Sequence, residues 1–97
     1  MTTYIVLSTF TDQGIKNVKE TTKRAAAAKE MAKKFGATMR EVYWTLGAYD
    51  IVAIVDAPDD ASIAAFGLAL AGGGNVRAQT LRAMSQEEMQ GVLAKLA

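Results

Sequence analysis

Two short runs in this chain are apolar without alternation. Tyr4-Ile5-Val6-Leu7 and Ile51-Val52-Ala53-Ile54-Val55 are aliphatic, mostly β-branched or aromatic, and bounded by polar or turn-forming residues. Successive side chains of a strand point to opposite faces, so a strand apolar at every position is covered on both sides. A chain of 97 residues has room for one core. That core must hold a sheet whose central strands have no wet face.

The remaining segments supply partners for those strands. Thr3 to Phe10 reads as the first strand, and Thr11-Asp12-Gln13-Gly14 as the polar start of a helix. Lys, Glu, Ala and Met then dominate to Phe35, and Gly36 is placed to close the helix in a left-handed conformation. Glu20 to Arg24 interrupts the apolar spacing, which predicts a kink near Thr21. Thr38 to Leu46 alternates as a strand, with Val42, Trp44 and Leu46 on one face and Met39, Glu41, Tyr43 and Thr45 on the other. Gly47 to Asp50 turns it into the strand at Ile51 to Val55, closed by Asp56-Ala57-Pro58.

Asp59 and Asp60 suit the positive end of a helix that runs through Ile63, Phe66 and Leu70 to the glycines at 72 to 74. Asn75 to Ala83 is a mixed strand, and Ser85 with Glu88 makes a capping box for a short last helix. The order is βαββαβ plus a C-terminal helix. Two interlocked crossovers of this kind form a ferredoxin-like α+β domain with a four-stranded antiparallel sheet, one domain over residues 1–97.

In that arrangement the helices cover one face of the sheet and leave the other open. Several large apolar side chains on the open face would each forgo about 1.5 to 3 kcal/mol of burial. A symmetric partner presenting the same face covers more of it than the last helix can, so a homo-oligomer, either a dimer or a multiple of dimers, is expected. The alternative is a monomer whose last helix folds across the open face.

Eleven basic residues against ten acidic ones give no overall field that would recruit nucleic acid or an anionic membrane. With no cysteine and no histidine, thiolate chemistry, disulfides and the commonest metal ligand and general base are absent. No metal site and no cofactor is expected. The N-terminus lacks a basic region and a long apolar run, which fits a cytoplasmic protein.

The segment Tyr43 to Asp50 holds the single tryptophan and two of the three tyrosines. Aromatic rings beside a carboxylate can stack on a planar ligand and accept its hydrogen bonds, and Arg77 or Arg82 can pair with an anion. Tyr43, Trp44, Tyr49, Asp50, Arg77 and Arg82 are therefore the candidate binding residues, for a small molecule or a protein partner. Strand propensity, turn chemistry and interface composition account for the same residues without a ligand. A small cofactor-free enzyme using Tyr43 or Tyr49 with Asp50 and an arginine is the competing expectation. The glycines at 72 to 74 follow a helix instead of preceding one, so they read as a helix exit and not a phosphate cradle.

The run W-T-L-G-x-Y-D-I-V-A at 44 to 53 and the run G-N-V-R-x-x-T-L-R-A at 74 to 83 resemble the GYD-domain family. T-D-Q-G-I-K-N at 11 to 17 and A-P-D-D at 57 to 60 extend the resemblance over nearly the whole chain. It implies a ferredoxin-like or dimeric α/β-barrel fold in a small bacterial family, with no established catalytic residue to carry onto Tyr49 or Asp50. The chain departs from the family in having no charge at Ala48 and more glycine at 72 to 74.

Overall fold

The computed structural model describes residues 1–96. Its elements are β1 (Thr2–Phe10), α1 (Asp12–Lys16), a 3₁₀ turn (Val18–Glu20), α2 (Thr21–Lys34), β2 (Thr38–Trp44), β3 (Ile51–Ala57), α3 (Asp60–Gly72), β4 (Val76–Ala83) and α4 (Gln86–Ala94). The strands form one antiparallel sheet in the order β2-β3-β1-β4. The two aliphatic runs thus take the middle of the sheet, as their lack of alternation requires. This is the ferredoxin-like α+β arrangement.

Alternate residues of the central strands point under α2 and α3. Tyr4 and Val6 of β1 and Ala53, Val55 and Ala57 of β3 are buried there together with Ala32, Met39, Ile63 and Phe66. Phe35 and Phe66 meet as tilted rings with centroids 6.1 Å apart, a favourable aromatic geometry. The buried Tyr4 hydroxyl donates to the Asp60 carboxylate, which ties β1 to the start of α3. That bond, with burial second, holds the Tyr4 hydroxyl above its ordinary value.

Four expectations change. The single kinked helix over 11–35 is broken into α1, the 3₁₀ turn and α2. The break at Asn17 frees backbone carbonyls, and the Arg24 guanidinium takes up two of them, donating to Asn17 O at 2.7 Å and Gly14 O at 3.3 Å. In β2, Met39 pairs with Val55 and Glu41 with Ile54, so Arg40 is an extra residue in a bulge. Met39 therefore joins the core on the face of Val42 and Trp44 rather than lying opposite them.

The strand also stops at Trp44, short of Leu46. Thr45 N–H donates to Asp50 O at 2.8 Å and Thr45 Oγ1 to Tyr49 O at 2.6 Å, which closes a loop and leaves Leu46 fully exposed at its tip. Finally, β3 runs on to Ala57, because Asp56 and Ala57 still pair with Thr3 and Thr2 of β1.

Two of the glycines that the backbone requires fix how the helices join the rest of the fold. Gly36 has φ of 72° and closes α2, with Ala37 N–H donating back to Ala32 O at 3.0 Å. Gly14 lies against the loop before β4, where an added Cβ would stand 2.0 Å from Asn75 O. Thr11 N–H donates to that same carbonyl at 3.1 Å, and Gln13 Nε2 donates to Gly73 O and Asn75 Oδ1, both at 3.1 Å. The segments at 11–17 and 72–75 are thus one joint.

Candidate functional site

The face of the sheet away from the helices carries Ile5 and Leu7 of β1, Val52 and Ile54 of β3, and Leu81 of β4, set side by side by the strand register. Tyr43 of β2 continues the patch beside Val52, and Tyr43 and Leu81 are exposed. The patch has polar ends. At one end Asp56 accepts from Thr3 Oγ1 at 2.8 Å and from Arg40 Nε at 2.7 Å. At the other, the Tyr49 hydroxyl donates to Gln79 Oε1 at 3.0 Å, with Arg77 two residues away on the same face. An apolar centre inside a polar rim is the anatomy of a protein interface.

The last helix does not close this face. Its capping box forms, with Glu88 N–H donating to Ser85 Oγ and Ser85 N–H to Glu88 Oε1, both at 3.1 Å. Yet α4 buries none of its residues. Met89, Val92, Leu93 and Leu96 recur at i, i+3, i+4 and i+7, an apolar stripe that is exposed along its length. The molecule measures 52 × 30 × 18 Å, an extended shape for a short chain.

The six candidate binding residues do not converge. Tyr43 lies on the open face of the edge strand, where the Glu41 carboxylate raises its hydroxyl above the ordinary 10.0, through hydrogen bonding first and charge second. Trp44 lies on the opposite face, its Nε1 donating to Thr21 Oγ1 of α2 at 3.0 Å. Asp50 serves the backbone: its Oδ2 accepts from Phe10 N–H at 2.9 Å, and its own N–H donates to Ser8 O at 2.9 Å. Arg77 pairs in register with Thr9 and Arg82 with Tyr4, so they project from opposite faces. Only Tyr43, Tyr49 and Arg77 share the open side.

Two residues outside that set belong among the candidates. Ser8 is buried at the strand position after Tyr4 and Val6, and Arg24 is half-buried at the start of α2. Both line a cleft of about 200 Å³ between α2, α3 and the sheet. The signals were present: Ser8 is the polar break in an aliphatic strand, and Arg24 ends the segment that interrupts the helical spacing. Among the described residues no group of three or more acidic side chains could hold a metal ion, and no helix is long and apolar enough to cross a membrane.

The GYD domain family model matches residues 4–93. A protein of Thermus thermophilus, described as a glutamine synthetase and cystathionine beta-lyase binding protein, is 39% identical over 85 residues, covering 87% of this chain and 90% of that one. No solved structure matches the chain significantly.

Proposed function

The chain belongs to the GYD-domain family, and from that membership we propose that it is a self-associating protein-binding module without catalytic chemistry of its own. The open sheet face is the observation that carries the reading. Its apolar centre needs cover, and a second copy brings both an identical face and an α4 stripe that is equally uncovered. Tyr43 is covered with that face, and the rest of the Tyr43 to Asp50 hairpin then remains for a different partner: its tip presents Leu46 in full, with Trp44 at its base.

The similarity to a protein named for binding two enzymes supports the same reading, and makes glutamine synthetase and cystathionine beta-lyase the first partners to try. The Asp50 carboxylate is held by Phe10 N–H, which leaves the cofactor-free enzyme reading without a supporting observation. A small-molecule role for the hairpin residues has the same standing, since they lie on different faces.

Light scattering at micromolar concentration, combined with interferometry on the two immobilised enzymes, tests both halves. A dimer or larger mass is expected, falling to a monomer in Ile54→Lys. Binding to at least one enzyme should weaken in Leu46→Ser. A monomeric wild type defeats self-association, and binding indifferent to Leu46→Ser removes the hairpin from the partner surface.

A further inference from the structure

Beyond the Phe35–Phe66 contact, part of the surface that α2 and α3 turn toward each other is built from small side chains. Ala25 and Ala28 of α2 and Ala69 of α3 leave an apolar cleft of about 200 Å³ above Val6 and Ala53. For scale, a ~150 Å³ cavity lined by aliphatic and aromatic side chains in another protein takes up benzene. A body of about six to nine carbon atoms is therefore the size this cleft accepts.

One end of the cleft is polar, and its groups are poorly matched inside the chain. Ser8 is only 7% exposed, and among the described residues its hydroxyl takes part in none of the side-chain hydrogen bonds. Every fully enclosed polar side-chain atom among the described residues has a partner, so the Ser8 hydroxyl is not sealed in protein and opens to the cleft. Arg24, on the wall, has no acidic partner: the ion pairs of the described residues are Lys23 with Glu20, Lys33 with Glu30 and Arg40 with Asp56. Two of its five donors reach carbonyls, and the positive charge is left uncompensated beside apolar surface. Thr21 begins α2 in the same cleft, and the preceding Glu20 gives that helix no side-chain cap. The positive end of α2 adds to Arg24, the neighbouring Glu20 carboxylate being paired with Lys23 at 3.3 Å.

We propose that this cleft binds a small monocarboxylate with a compact apolar body. The carboxylate pairs with Arg24 at the start of α2, the Ser8 hydroxyl donates to it or to a polar atom beside it, and the hydrocarbon lies over Val6 and between the alanines. The site is on the helix side of the sheet, so it stands or falls separately from the self-association and the hairpin.

Hexanoate and phenylacetate are suitable probes, with hexanol as the neutral control, followed through the alanine and valine methyl signals in NMR. Saturable shifts of Ala25, Ala28, Ala69 and Val6 are expected with both acids. Ala28→Leu, which fills the cleft, should abolish them. Arg24→Gln should weaken the acids about tenfold while leaving hexanol unchanged, as loss of a charge-assisted pair would. Ser8→Ala, which disturbs no other bond, should weaken the acids severalfold and covers the case in which Arg24→Gln fails to fold. Absence of saturable shifts, shifts that persist in Ala28→Leu, or acids that bind Ser8→Ala as tightly as wild type would each overturn the site.

Discussion

The two faces of the sheet use the same strands and carry different side chains. Under the helices stand Tyr4, Val6, Ser8, Ile51, Ala53, Val55 and Ala57, while the face that no helix covers holds Ile5, Leu7, Val52, Ile54 and Leu81. Most of the bulky aliphatic groups of the two central strands, Ile5, Leu7 and Ile54, are on the uncovered side, with Ile51 the exception. Helices supply their own bulk, through Phe66, Ile63 and Met31, so small residues such as Ser8, Ala53 and Ala57 suffice over part of the covered side, and beside Ser8 and Ala53 they leave a cleft. A flat face meeting another flat face has no such supply, and its own side chains must fill the gap.

The largest effect should come from the covered side. Phe66→Ala is expected to cost about 3 to 5 kcal/mol in urea unfolding, since the side chain is fully buried between helices and sheet. The oligomeric mass should not change. A loss below about 1 kcal/mol would mean the covered face is not the core and would break the contrast.

The open face should answer differently. The thermal midpoint of the wild type should rise with protein concentration, because cover supplied by a second chain is governed by mass action. Ile5→Ala, expected to cost about 1.5 to 3 kcal/mol, should flatten that rise. A midpoint that ignores concentration in the wild type would make the two faces equivalent in kind.

The smallest effect is electrostatic and sharpens the helix side. Asp59 caps α3 by accepting from Ser62 N–H at 2.8 Å, and bonding to Ser62 holds its carboxyl below the ordinary 3.8. A depressed carboxyl favours the fold above its unfolded value, and the contribution is lost as pH falls from there through the lower folded value. Asp59→Asn keeps a capping oxygen without the titration, so its acid unfolding curve should be slightly shallower than that of the wild type. Coincident curves would leave Asp59 with no share in the acid response.

The strand order and the caps were legible because each depends on a few neighbouring residues. Unbroken aliphatic runs placed β1 and β3 in the middle, Ser85 and Glu88 placed α4, and Gly36 placed the end of α2. The bulge at Arg40 was not legible, because an extra residue in one strand shows only against its partner. Nor was the joint between Gly14 and Asn75, a contact between segments far apart in sequence. The hairpin residues looked like one site because they are adjacent in sequence, yet strand alternation sends Tyr43 and Trp44 to opposite faces. Arg77 and Arg82, an odd number of residues apart, separate for the same reason.

The central place of β1 also sets an order in time. It is the first made of the four strands of this sheet, while its neighbours end at Ala57 and Ala83. At about 5 to 20 residues per second of synthesis, β1 waits roughly 2 to 10 s for β3 and roughly 4 to 15 s for β4. Ala-rich α2 can wind on local contacts in that interval, but Ile5 and Leu7 have neither edge to pair with nor surface to lie against. A chain still being made therefore displays part of its open apolar face before it has a fold to hold it.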